Sequence, residues 1–242
     1  MKNAAPSIEE EIILECEKFR TFILMIAVGG FLGAYTYTLK GGVFCNAQTA
    51  NFVMLAVQLG EGNWSRALYF LIPISAYLLG AVLSEFLPRR VNRLGILRWD
   101  TVFVAFEMVC LFAIGLIPDD APPQICQVWV NFIASMQYNT FRQAKKVPMA
   151  TTFCTNHIRQ IGVNLVKWLH KKNEDAKERL VMHVIMLIAF VTAGVAATFL
   201  GSFFGGKAIW FAEILLAVVL IDFILADRGR EKDKLDVVPH GH

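Results

Sequence analysis

Six stretches of this chain stay apolar for long enough to cross a hydrocarbon layer: Thr21–Leu39, Ala67–Leu87, Thr101–Ile117, Ile125–Phe141, Leu180–Phe204 and Ala208–Ala226. A bilayer core about 30 Å thick takes roughly 20 helical residues. With no water to satisfy backbone N–H and C=O groups there, helices are the only plausible spanning form at these lengths. Of the 242 residues, 56% are hydrophobic and only 18% are charged, with a mean hydropathy of +0.50. Nothing between the blocks is left to build a soluble domain. The expected architecture is an all-α membrane protein with the lipid bilayer as its first partner.

Two further stretches are ambiguous. Val43–Leu59 and Val147–Leu165 are each about one span long, but their first halves are rich in Asn, Gln, Thr and Cys. They cross fully, or they are re-entrant. The distribution of Lys and Arg decides between these readings. If both stretches enter and leave on one side and the N-terminus is cytoplasmic, all but three of the 23 basic residues face the cytoplasm; only Lys40, Arg66 and Lys207 face outward. If both cross, the bias disappears. Six transmembrane helices with two polar re-entrant or broken helical segments, and both termini cytoplasmic, is therefore the expectation.

A net charge of +3 without an aromatic-interleaved basic patch excludes nucleic acid as a partner. The five cysteines, Cys16, Cys45, Cys110, Cys126 and Cys154, form no CxxC and fall mostly in apolar blocks. They read as small buried hydrophobes. Ser7–Leu14 reads as an N-cap followed by an acidic amphipathic helix, not as a signal peptide.

The two halves of the chain resemble each other. Phe31–Tyr37 parallels Phe132–Tyr138, Thr49–Asn51 parallels Thr155–His157, Ala76–Gly80 parallels Ala189–Ala193, and Glu107 parallels Glu213, at offsets of about 101 to 113 residues. Each half has the order span, polar segment, span, span. Three spans is an odd number, so the second half inserts upside down. The divisions are an amphipathic N-terminal segment over 1–20, membrane repeats over 21–118 and 119–227, and a charged cytoplasmic tail over 228–242. Inverted repeats with broken helices at their interface are typical of transporters and channels.

The stretch Gly41–Asn51 (GGVFCNAQTAN) resembles the GG-x-F-x-x-x-x-T-G-N pattern of the uncharacterised bacterial YoaK-type integral membrane proteins, a domain of unknown function. Ala50 stands where that pattern has Gly. Thr151–Asn156 resembles the family's second Thr-Thr-x-x-Thr-Gly pattern, with Asn156 for Gly. The resemblance covers nearly the whole chain. It implies a fold and a bacterial cytoplasmic (inner) membrane location, and no activity.

The candidate solute-binding residues are Asn46, Gln48, Thr49 and Asn51 in the first half. In the second half they are Gln137, Tyr138, Asn139, Thr151, Thr152, Thr155, Asn156 and His157. These groups donate and accept hydrogen bonds around a small polar solute or a dehydrated ion, or they only satisfy one another. Glu107 and Glu213 lie mid-span, where a charge costs on the order of 2.5–3.5 kcal/mol or more, and such groups relay protons, bind cations or pair. Asp222 and His183 read as interfacial. Glu85 reads as a surface partner of Arg89 and Arg90, and Arg159 as snorkelling to the cytoplasm. Ala76, Gly80 and Ser84 form a small-residue face for contact within the fold or with a second subunit.

No HExxH, G-x-S-x-G, Walker A or GxGxxG motif is present. Cys154 and His157 lack a third ligand for zinc. Neither an enzyme nor a cofactor nor a metal site is expected. The leading expectation is a secondary transporter or channel for a small polar solute or ion, with the pathway between the repeats. The alternative is a non-transporting binding, sensor or assembly subunit.

Overall fold

The computed structural model describes residues 13–240. The acidic helix expected over Ser7–Leu14 lies, up to Ile12, outside the described residues. The remainder is all-helical apart from one two-residue hairpin. The helices are α1 (Phe19–Leu39), α2 (Gln48–Gly60), α3 (Trp64–Phe86), α4 (Pro88–Asn92), α5 (Trp99–Gly115), α6 (Pro123–Thr140), α7 (Thr155–Lys171), α8 (Glu174–Phe204) and α9 (Trp210–Leu225). The hairpin pairs β1 (Gln143–Ala144) with β2 (Val147–Pro148). Three runs are long and apolar enough to cross a membrane: Phe19–Leu39, Trp64–Asn92 and Glu174–Arg230, the last including a break at Gly205–Ile209.

Local chemistry sets the helix ends. The Asn173 side chain caps α8 by accepting from the Ala176 N–H at 3.1 Å, with Glu174 and Asp175 in the first turn complementing the helix dipole. Gly205, at φ 55°, ends α8.

α1 packs along α8, and α3 packs along α6; α2 lies on α3 and α7 on α8; α5 packs on α9. Small residues make the closest approaches. A Cβ at Gly30 would fall on the Phe190 carbonyl of α8, and one at Gly80 on the Phe132 carbonyl of α6. Ala76, Gly80 and Ser84 are all buried against α6. The small-residue face is thus used within the fold.

The helices define two ends. At one, the Lys40 ammonium pairs with Asp119 at 3.1 Å, and Asp119 also accepts from the Gly206 N–H at 2.9 Å. The Tyr35 hydroxyl donates to the Gly206 carbonyl at 2.8 Å. At the other, buried Glu15 pairs with Lys18, Arg20 and Arg230, and Arg20 also meets Asp222 at 3.1 Å. The fully buried Arg98 side chain donates to Asp100 and to the Lys234 carbonyl, while Asp227 accepts from the Arg98 N–H and the Thr101 hydroxyl. The first and last turns of the bundle and the C-terminal tail are clasped together there.

Candidate functional site

After α1 ends at Leu39, residues 40–47 fold back alongside it. The Asn46 amide donates to the Gly29 carbonyl at 2.6 Å, beside Gly33. Asn46 therefore sits next to the middle of α1, although the chain left that helix at its end. From there α2 begins at Gln48 and returns to lie on α3. The Gln48 amide donates to Asn131 at 2.6 Å and to the Cys45 carbonyl, and accepts from Asn51 at 2.9 Å. Asn131 donates to the Gln127 carbonyl, Gln127 donates to the Lys40 carbonyl, and the Tyr69 hydroxyl donates to Gln127. This relay borders a cavity of about 800 Å³ at the Lys40 end, walled by Gly41, Phe44, Asn51, Gln58, Arg66 and Tyr69 among others.

A second fold-back approaches α1 from the opposite end. After α6 ends at Thr140, residues 141–154 turn back through the hairpin, and a Cβ at Gly29 would fall on the Thr151 carbonyl, with the Thr152 Cα also adjacent. The Gln137 amide donates to the Met25 carbonyl at 2.9 Å and, more weakly, to the Thr151 carbonyl at 3.4 Å. The two polar segments thus meet on one glycine at the centre of α1. A side chain at Gly29 would strike the Thr151 carbonyl, and one at Gly33, a turn further on, would strike the Asn46 amide, so the two glycines together keep these approaches open. Four oxygens here are fully buried with no hydrogen-bond partner among the described residues: Asn46 Oδ1, Gln137 Oε1, Thr151 Oγ1 and Thr152 Oγ1. Each such group costs about 1–3 kcal/mol when left unsatisfied, and all four belong to the two fold-backs or to the end of α6.

A second cavity, of about 320 Å³, lies at the Arg142 end, walled by Tyr138, Asn139, Arg142, Gln143, Pro148, Met149, Ala150 and Asn156. The Tyr138 ring meets the Phe153 ring at a tilt, with centroids 4.8 Å apart, the Asn139 amide donates to the Ser84 hydroxyl, and Asn156 accepts from Arg159. Just behind this wall the His157 ring approaches the Ala150 carbonyl at 2.7 Å through Nε2 and the His183 ring at 2.9 Å through Nδ1. Both rings are fully buried.

The structure brings most of the expected residues to this polar thread, but not all. Thr49 and Thr155, in the first turns of α2 and α7, are exposed and face away from it. His183 corrects the expectation of an interfacial side chain: α7 lies over it and encloses it. Glu85 pairs with Arg142 at 2.6 Å across the α3–α6 contact, where Arg89 and Arg90 were expected; Arg90 instead covers the Phe86 ring. Glu107 is fully buried on the same helix face as Phe103, Val104, Cys110 and Leu111, and neither of its oxygens has a partner among the described residues. Glu213 is half-buried, with Oε1 likewise unpartnered. Neither glutamate lines either cavity. Among the described residues no group of three His, Cys, Asp or Glu side chains stands close enough to hold a metal ion.

Residues 21–221 match the model of a family described as a protein of unknown function (DUF1275), and the chain belongs to that family. No curated protein and no solved structure matches it.

Proposed function

For this member of a family whose description assigns no function, we propose a secondary transporter or channel that carries a small polar solute or ion between two inverted repeats. The observation that carries the proposal is the meeting of two polar segments, one from each half, on Gly29, with buried unpartnered oxygens between cavities at opposite ends. Asn46 Oδ1 and Gln137 Oε1 accept, and the Thr151 and Thr152 hydroxyls both accept and donate. That set suits a donor-bearing neutral solute or a small cation. Irregular backbone at membrane depth is tolerated where it lines such a path.

The repeat is supported by reciprocal contacts. The first helix of each half packs on the long helix of the other, α1 on α8 and α6 on α3, while α2 covers α3 as α7 covers α8. α1 runs toward the Lys40 end and α6 away from it, as inversion requires. Six spans (α1, α3, α5, α6, α8 and α9) follow, with 40–60 and 141–171 as re-entrant segments. The Arg142 end, which carries most of the Lys and Arg, faces the cytoplasm of a bacterium, and both termini lie there. Glu107 and Glu213 serve as proton or cation sites on the packed pair α5 and α9, supported by the full burial of Glu107 among apolar residues and the unpartnered Oε1 of half-buried Glu213 in the first turn of α9.

The test is flux in proteoliposomes of the purified full chain, against a panel of small amides, polyols, ammonium and alkali cations. At least one probe should move, and Asn46→Leu and Thr151→Val should each slow it at least tenfold while the protein stays folded. Folded wild-type protein that moves no probe would speak for a non-transporting binding or sensor subunit.

A further inference from the structure

We propose that the buried pair His157–His183 is a binding site for one proton, taken up at Nε2 of His183, and that this proton is a coupling ion of the transport cycle in addition to any ion held at Glu107 or Glu213. The second clause rests on the transport reading; the first does not.

Hydrogen-bond partners fix the tautomers. A backbone carbonyl can only accept, so His157 Nε2, 2.7 Å from the Ala150 oxygen, carries a hydrogen. In the neutral ring His157 Nδ1 is then a lone pair, and it accepts from Nδ1–H of His183 at 2.9 Å. That leaves Nε2 of His183 as a lone pair, and this atom is fully buried with no partner among the described residues. A proton can bond there while both existing hydrogen bonds stay intact: one N–H bond forms to the Nε2 lone pair, no bond within the pair breaks, and the pair gains one positive charge. A second proton has no place. It would make both facing Nδ1 atoms donors and break the contact between the rings. The geometry therefore points to uptake of one proton and not two.

The location links this proton to the pathway. Ala150, which holds His157, is also a wall of the cavity and directly precedes Thr151 on Gly29. Charging the pair acts on the segment that carries the unpartnered threonine hydroxyls. The charges acting on His183 are Arg159 on α7 and Arg179, one turn earlier on α8. α1, which packs along α8, brings no acidic, basic or histidine side chain beyond Arg20 in its first turn. Both guanidiniums repel an added positive charge and no carboxylate offsets them, so the proton is weakly held and readily released.

The test is NMR of ring-15N-histidine in the full-length protein in nanodiscs, over the pH range in which it stays folded. The His183 ring should pass from the Nδ1–H neutral form to the doubly protonated form. His157 should keep Nε2–H, and the Nδ1–Nδ1 coupling should persist on both sides of the transition. His183→Gln should remove that titration and no other. If the variant does not fold, through-bond correlation of each ring to its own backbone amide assigns the two rings in the wild type. A His183 ring that stays neutral throughout, a His157 ring that switches to Nδ1–H, or two charged rings at once would overturn the proposal. The coupling role is read separately in pyranine-loaded proteoliposomes given an acid jump in the presence of a transported probe. His183→Gln should lose proton movement at least tenfold. Unchanged proton movement overturns the coupling role. A normal titration in a protein that moves nothing refutes the transport reading and leaves the proton site standing.

Discussion

Gly30 and Gly162 are both helical glycines, and their surroundings set opposite expectations. A Cβ at Gly30 meets the backbone of Phe190 on α8, which has no side chain to swing aside; at Gly162 it meets nothing within 4 Å. Gly30→Ala should therefore lower the thermal unfolding midpoint of the purified protein, by the equivalent of about 1–3 kcal/mol for an overpacked contact. Gly162→Ala should raise it, by about 0.5–1 kcal/mol of helix propensity. Glu15 gives a second expectation at this scale. Burial alone would push its carboxyl up, but the bonds from Lys18 and Arg20 outweigh that and hold it below the ordinary value of 4.5. A group depressed in the folded state contributes stability above its unfolded pKa and loses it as the pH falls through the folded one. Thermal stability should thus fall as the pH drops below about 4.5, and Glu15→Gln, measured by the same melting curves, should flatten that part of the profile and lower the midpoint at pH 7. Single residues were the least legible part of the sequence. Nothing local says that His183 is enclosed, because the helix enclosing it is anchored 26 positions away. The one available signal was a second histidine, His157, in the polar stretch 147–165.

Elements were more legible, because a helix that must bury or insert its side chains announces itself as a long apolar run. All six runs are helices, displaced by a few residues at their ends, and α8 extends six residues further back to its Asn173 cap. The polar stretches 43–59 and 147–165 were visible as neither ordinary loops nor ordinary spans, and each is a fold-back followed by a shorter helix. The hairpin between them and α6 was invisible. Its two-residue turn is Lys145–Lys146, both at positive φ (46° and 65°), where Asn-Gly is the usual signal. Lysines are costly in that conformation. Replacing the pair with Asn-Gly should raise the unfolding midpoint by roughly 1 kcal/mol, since the Lys145 contact to Glu17 is made by the backbone N–H and survives. A lower midpoint would mean that the lysine side chains stabilise the turn more than the strain costs.

At the scale of the molecule, the two halves interlock so that each supplies one polar segment, and the segments approach α1 from opposite ends. The meeting point on Gly29 is a tertiary fact that no spacing encodes. Transport between the halves and uptake of a proton behind the Ala150 wall both depend on that arrangement being inverted. Ala50 lines the cavity at the Lys40 end, and Asn156 lines the cavity at the Arg142 end. The most direct measurement places one cysteine at each, Ala50→Cys and Asn156→Cys, in separate proteins whose five native cysteines have been replaced, and adds a membrane-impermeant thiol reagent to one face of oriented vesicles at a time. The account predicts that Ala50→Cys reacts only from the outer face and Asn156→Cys only from the cytoplasmic face. Labelling of both positions from the same face would contradict it.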